Sequence, residues 1–224
     1  MKYTFQYGQV LAYLPYLLTG AWITLQIAFL AFIGGMVIGL FGALAKTSGG
    51  RVSRAITQAY VTFFTNTPQL VQIFFIFFAL PEFGIQLSSY QAVLLGMTLN
   101  AGAYLTEIQR AGFVSVRRSE IEAAETLGMS RAQVVRHVIL PHIMKVLYPP
   151  LSNQYIVMTL GTSMGALFGL EELTGRAFNI ESRTFRSLEI FSIVAGVYLV
   201  LNVVASVILA VIGRVGFRVR VRIV

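Results

Sequence analysis

The sequence predicts an all-α integral membrane protein with about five transmembrane helices and one water-facing helical loop. Three observations support this fold class. Of the 224 residues, 56% are hydrophobic and only 12% are charged, a composition typical of chains surrounded by lipid. Apolar runs of about 20 residues or more recur along the chain, and each is long enough to cross a bilayer as a helix. The basic residues cluster at the ends of these runs, where they orient membrane proteins.

We expect a single transmembrane domain, residues 1–224, with five spans and an aromatic-rich start at the membrane interface. The expected spans are residues 17–45, 55–80, 90–114, 143–165 and 189–212. The first span carries Gly35 and Gly39, a G-x-x-x-G pair that permits close helix packing.

The second span carries four polar residues at spacings of three, four and three, which places them on one helical face: Thr62, Thr65, Gln69 and Gln72. Unsatisfied polar groups are costly in hydrocarbon, so we expect this face to point inward. Pro68 should kink the span. Two interpretations stay open for the polar face, namely hydrogen bonds between helices and a substrate path.

The third span repeats this pattern with Asn100, Tyr104 and Glu107 at i, i+4 and i+7. Glu107 is the only acidic residue that the sequence places inside a span. It is expected either to form an ion pair with Arg110, three residues on, or to belong to a substrate site.

The fourth span is expected to be the most polar one, with Thr159, Thr162 and Ser163 near its end. Pro149 and Pro150 should interrupt its helical hydrogen bonds. Broken, polar membrane helices are tolerated where they are buried or line a cavity. Residues 166–188 mix glutamates with arginines and are expected to form a structured outer loop.

Residues 117–141 form the water-facing loop, which we expect to contain two short helices joined at Gly128. Gly128 can adopt the left-handed conformation that ends a helix. Pro141 should end the second helix. Each helix has a candidate capping box at its start: Ser119 with Glu122, and Ser130 with Gln133. Ile121, Ala124 and Leu127 recur at spacing three on one face of the first helix.

Basic residues predict an external N-terminus and a cytoplasmic tail. They concentrate in the loops after the first and third spans and in the tail: Lys46, Arg51, Arg54, Arg117, Arg118, Arg131, Arg136, Arg214, Arg218, Arg220 and Arg222. Arg176, Arg183 and Arg186 in the outer loop oppose this orientation. The same clustering explains the net charge of +8 better than nucleic-acid binding does.

The composition leaves few groups for catalysis, so we expect no enzymatic activity in this chain. The sequence has no cysteine and no aspartate, and its two histidines lack further metal ligands nearby. No Gly-Lys dipeptide occurs, and a nucleotide-binding P-loop requires one. A stand-alone secondary transporter or channel for a small polar solute is the alternative function. Such transporter folds are usually duplicated, and no internal repeat is evident here.

Several motifs occur together along the chain. They are Thr67-Pro68-Gln69-Leu70-Val71-Gln72 with Phe74-Phe75 and Leu80-Pro81, then Tyr104, Glu107, Arg110 and Gly112, the Glu122-Ala123-Ala124 loop with Gly128 and Leu140-Pro141, and Pro149-Pro150 with Asn153. Together they resemble the permease subunits of polar amino acid ABC importers, the histidine, glutamine and glutamate permease-like family. The resemblance extends from about residue 17 to residue 191.

This resemblance implies a type I importer permease in the bacterial inner membrane, working by alternating access. The implied partners are a cytoplasmic ATPase dimer that binds ATP and Mg, a second permease subunit and an external substrate-binding protein. No cofactor is implied in this chain. The implied ATPase-coupling residues are Glu122, Ala123, Ala124, Gly128, Leu140 and Pro141. The candidate substrate path comprises Gln69, Gln72, Asn100, Tyr104, Glu107, Thr159, Thr162 and Ser163.

Two departures from the family pattern bear on the substrate. Thr65-Asn66 stand where the family often carries Arg-Gly, and Leu160-Gly161 stand where it often carries Lys-Asp. The missing acidic residue weakens the expectation of a pocket for cationic substrates.

Overall fold

The computed structural model describes residues 4–217, and every regular element in that range is helical. Tyr3 and the tail arginines Arg218, Arg220 and Arg222 lie outside the described residues. The α-helices are α1 (Tyr7–Leu11), α2 (Leu14–Ser48), α3 (Arg51–Thr65), α4 (Gln69–Phe74), α5 (Ser89–Val114), α6 (Arg118–Thr126), α7 (Arg131–Val134), α8 (Leu140–Gly161), α9 (Leu173–Thr184) and α10 (Ser187–Gly216). Short π and 3-10 turns extend α4 to Phe83, join α7 to α8, and extend α8 to Phe168.

The centre of the fold is the parallel pair α2 and α5. An added Cβ at Gly35 would lie 2.8 Å from Ala101 Cβ, and one at Gly39 would lie 2.8 Å from the Leu105 backbone. Contacts therefore advance along both helices in the same direction. The predicted G-x-x-x-G pair lies in this contact, where small residues let the two backbones approach. Since α2 and α5 are parallel, the segment between them must return across the fold.

That returning segment, the predicted second span, bends sharply. The axes of α3 and of the helical stretch Gln69–Phe83 differ by 103°. Pro68 lies at the bend in an extended conformation, with ψ at 133°, and supplies no N–H. The kink at Pro68 is confirmed, but the prediction of one continuous polar face is wrong. Thr62 and Thr65 belong to a helix that ends before Gln69 begins the next one.

The other prolines break the helices less than expected. Pro141 does not end the loop's second helix, because the chain continues through a π turn, Val135–Ile139, into α8. Pro141 lies in the first turn of α8, where a missing N–H costs little. Pro149 and Pro150 remove two donors, yet α8 stays continuous around them.

The two caps of the water-facing loop differ. Ser130 accepts a hydrogen bond from the N–H of Gln133 and the reciprocal bond is also made, so this capping box is confirmed. The box predicted at Ser119 is wrong, because α6 begins one residue earlier and Arg117 at its N-cap makes no side-chain hydrogen bond. Gly128 has φ +78°, which confirms the left-handed turn between the helices.

By length and composition, α2 and α10 can each cross a membrane, and counting each bent helix pair as one span raises the number to four. The bent pairs are α3 with the stretch after Pro68, and the stretch Arg131–Phe168 with α9. α5, the predicted third span, runs alongside α2 but is not among the helices that length and composition alone identify as candidates. Helices α6 and α7 lie at the end where α2 and α5 finish, which we call the coupling end.

We predict that Gly39→Ala destabilises the fold by about 1–3 kcal/mol, because the new methyl group would meet the Leu105 backbone and force the helices apart. Gly196→Ala is the matched control, since α10 offers nothing within 4 Å of the added carbon. Thermal unfolding of the purified protein in detergent measures both. Equal melting temperatures for the two variants would show that the α2–α5 contact is looser than described.

Candidate functional site

The water-facing loop exposes part of the predicted coupling set and buries the rest. Ala123 is exposed, whereas Ala124 is only 5% exposed and packs within the loop. Gly128 lies at an open turn with no atom near its Cβ position. The loop therefore does not present a surface made only of small, exposed residues.

Leu127 is the most exposed large hydrophobic residue of this loop, with 83% of its surface exposed. Ile121 is partly buried and Ala124 is buried, so the three regularly spaced residues do not present one uniform surface. Glu122 is exposed and pairs with Arg118, whose Nε lies 2.8 Å from a carboxylate oxygen. Leu140 and Pro141 lie in the first turn of α8, and Leu140 is half exposed.

The predicted path residues of the second and third spans meet at the bend. Gln72 Nε2 donates to the carbonyl oxygens of Phe64 and Thr67 at 3.0 and 3.1 Å. Asn100 Nδ2 donates to Gln72 Oε1 and to the Phe64 oxygen. The Tyr104 hydroxyl lies 3.5 Å from the Thr65 oxygen. These amides thus satisfy the carbonyls that the broken helix leaves free.

Glu107 lies further along α5 in a cluster of charges. Arg110 donates from Nε to Oε2 of Glu107 at 2.9 Å, and its Nη2 lies 2.8 Å from the same oxygen, so the predicted ion pair is present. Lys46, in the last turn of α2, donates to Oε1 of the same carboxylate. The Lys46 ammonium also donates to Gln58 on α3 at 2.6 Å.

A polar cleft of about 500 Å³ opens beside this cluster, between the ends of α2, α3 and α5. We call it the inner cleft, since it lies toward the coupling end. It is lined by Lys46, Gln58, Val61, Thr62, Thr65, Asn66, Glu107 and Arg110. The sequence analysis missed Lys46 and Gln58, because their proximity to Glu107 depends on how α2 and α3 pack against α5.

The fourth-span residues do not join the other path residues through hydrogen bonds among residues 4–217. Thr159, Thr162 and Ser163 each donate to a carbonyl of their own helical turn, at 2.8–2.9 Å. Gln69 comes nearest to this span, since an added Cβ at Gly161 would lie 3.5 Å from its Oε1. The candidate path residues therefore fall into two groups, one at the bend with Glu107 further along α5, and one in the fourth span.

The sequence analysis also missed a fully buried acid, Glu172, at the end opposite the coupling end. Its carboxylate accepts hydrogen bonds from Thr24, from Tyr198 and from the N–H of Gly175, at 3.1, 2.9 and 2.9 Å. Glu189 in the first turn of α10 is fully buried too. Glu107 is thus not the only acid within the helical bundle. The sequence did not indicate that Glu172 is buried, because it lies in a segment rich in charged residues that was expected to be an outer loop.

Comparison with known proteins agrees with this architecture. The family model described as "Binding-protein-dependent transport system inner membrane component" matches residues 35–215. The glutamine transport system permease protein GlnP of Escherichia coli (strain K12) is 37% identical over 92% of this chain and 94% of its own length. The L-cystine transport system permease protein TcyB of Bacillus subtilis (strain 168) is 35% identical, over 89% of this chain and 86% of that protein.

Among solved structures, one described as an amino acid ABC transporter with histidines is similar at a TM-score of 0.87 and 33% identity. The match covers 95% of this chain and 99% of that one. The chain therefore belongs to the family of binding-protein-dependent transport system inner membrane components, and it is a permease of the ABC importer type.

Proposed function

We propose that the chain carries a polar amino acid across the cytoplasmic membrane as the permease subunit of an ABC importer. The observation that carries this proposal is the similarity, over nearly the full length, to permeases named for glutamine and L-cystine transport. Their differing names leave the particular amino acid open. Measuring which labelled amino acids the assembled importer accumulates in vesicles tests the proposal, and failure to accumulate any of them would contradict it.

In this proposal ATP and Mg bind to a separate ATPase dimer that docks on α6 and α7. α6 and α7, joined by the turn at Gly128, lie at one end of the bundle and form a compact unit that a partner can push. The chain continues from α7 through a π turn directly into α8, so force on the loop reaches the fourth span without a flexible linker. A second permease subunit and an external substrate-binding protein complete the assembly.

The proposed substrate path follows the polar side chains near the bend and the inner cleft. A zwitterion that enters a membrane protein must exchange its hydration for fixed polar groups. Gln72, Asn100 and Tyr104 surround the bend, and Glu107 stands beside the cleft. Gln69, Thr159, Thr162 and Ser163 remain proposed path residues, although the fourth-span hydroxyls bond within their own helix.

Leu127→Ser is expected to weaken ATPase binding about tenfold, because a fully exposed leucine at a rigid turn suits an apolar pocket on a partner. Val52→Ser is the matched control, since Val52 is 73% exposed at the same end of the bundle but lies outside the loop. Pull-down titration of the permease with its ATPase measures both variants. Unchanged binding with Leu127→Ser would remove Leu127 from the docking surface.

The proposed orientation places the loop in the cytoplasm and the N-terminus outside. The chain has no cysteine, so single cysteines report on one position each. A cysteine replacing exposed Glu125 in α6 is expected to react with an impermeant thiol reagent only in opened membranes. A cysteine replacing exposed Glu82, in the loop before α5, should react in intact cells. The reverse pattern would invert the topology.

A further inference from the structure

The charges around the inner cleft do not cancel. Two cations, Lys46 and Arg110, flank one carboxylate, Glu107, so the cluster has one formal positive charge in excess. The Lys46 side chain is only 11% exposed and lines the cleft, so little of its charge is screened by bulk solvent. Low-dielectric walls strengthen such a field. The cleft is therefore expected to attract anions rather than cations.

Lys46 and Arg110 each have N–H groups that make no hydrogen bond within the described residues. An ammonium group has three N–H donors, and Lys46 spends two of them on Glu107 and Gln58 within the described part of the chain. A guanidinium group has five, and Arg110 uses its Nε and Nη2 on Glu107. Its Nη1 donors make no hydrogen bond to residues 4–217. These free donors are the kind that bind a carboxylate at two points.

Glu107 is held by a cation on each of its two oxygens. One oxygen accepts a charge-assisted hydrogen bond from Lys46 and the other accepts one from Arg110. A carboxylate has about four lone-pair sites, so acceptor capacity remains, but the two adjacent cations would repel an incoming ammonium group. The carboxylate instead holds Lys46 and Arg110 beside the cleft in fixed positions, which lowers the cost of binding there.

The remaining lining groups are neutral and polar. Thr62 and Thr65 contribute hydroxyls, and Gln58 and Asn66 contribute amides. A volume of about 500 Å³ falls in the ordinary range for small-molecule pockets and admits a free amino acid. No residue of the lining adds a second acid.

We propose that the inner cleft holds the backbone carboxylate of the transported amino acid on its way to the cytoplasm, with Lys46 and Arg110 as its ligands. The proposal rests on the proposed function and assigns a role to two residues outside the candidate path. It also changes the role of Glu107 from a substrate contact to a positioning residue.

A cysteine replacing Thr62 on the cleft wall provides a test that does not depend on the identity of the substrate. Thr62 is exposed, and the chain has no other cysteine. The assembled importer carrying this cysteine is treated with negatively and positively charged methanethiosulfonate reagents. Each rate is divided by the rate of the same reagent with a free thiol in solution, and the ratio of the two normalised rates reports the local potential. We expect the anionic reagent to be favoured, and a preference for the cationic reagent would overturn the proposal.

Second-site variants identify the source of the potential. Lys46→Gln or Arg110→Gln should lower the rate ratio about tenfold, whereas Lys46→Arg should preserve it. Glu107→Gln should raise the ratio, because among residues 4–217 it removes the one negative charge that lines the cleft. Arg54→Gln is the control, since Arg54 is exposed on α3 at the same end but does not line the cleft. An equal effect of Arg54→Gln would show a general surface potential and contradict a built site.

Ligand protection completes the test, with glycine as the part common to all amino acids and glycinamide as the analogue without a carboxylate. Glycine should slow modification of the cysteine at position 62, and glycinamide should not. Protection by glycinamide alone, or by neither, would overturn carboxylate binding. Uptake is measured in parallel: normal uptake without protection overturns only the cleft assignment, whereas absent uptake of every amino acid overturns the proposed function.

Discussion

The close contact between α2 and α5 depends on the glycines of α2, which have no side chains at the interface. Helices in lipid gain little from hydrophobic burial, because lipid tails are as apolar as leucine, so association rests on close packing and interhelical hydrogen bonds. Glycines at the contact allow the packing, and Gln109 supplies a hydrogen bond from its Nε2 to the Met36 oxygen at 3.0 Å. The two helices are parallel, and Gly42 of α2 lies against Thr106 of α5. Lys46, one turn after Gly42, therefore lies beside Glu107.

A second constraint is that polar backbone groups inside a membrane need internal partners. At the bend after α3, the Phe64 carbonyl no longer has a helical donor, and the amides of Gln72 and Asn100 take over that role. The polar pattern of the second span is thus partly structural. Its residues hold an irregular segment in place, and the same segment borders the inner cleft. A structural role for these side chains is therefore compatible with the proposed role in transport.

Local sequence signals predicted local structure well where no other group competed. The Ser130 box formed as expected, but at Ser119 the neighbouring Arg118 engages Glu122, and the box does not form. Prolines were harder to interpret. Pro68 produces a sharp bend, whereas Pro149 and Pro150 lie in a continuous helix, and the difference depends on packing that the sequence does not display. Hydropathy and length identify α2 and α10 as spans directly, whereas the bent pairs need the packing of the fold to be seen as single spans.

Long-range partners of buried and half-buried acids could not be predicted, because 61 residues separate Lys46 from Glu107 and 148 separate Thr24 from Glu172. The two acids that these pairs involve differ in kind. Glu172 is fully buried among neutral donors and ties α2, α9 and α10 together at one end. Glu107 is partly exposed, is held by two cations and borders a cleft at the other end. A carboxylate whose partners are all neutral and internal favours a fixed joint. A carboxylate such as Glu107, whose cationic partners keep free hydrogen-bond donors beside a cleft, is better suited to a site where a ligand binds and dissociates.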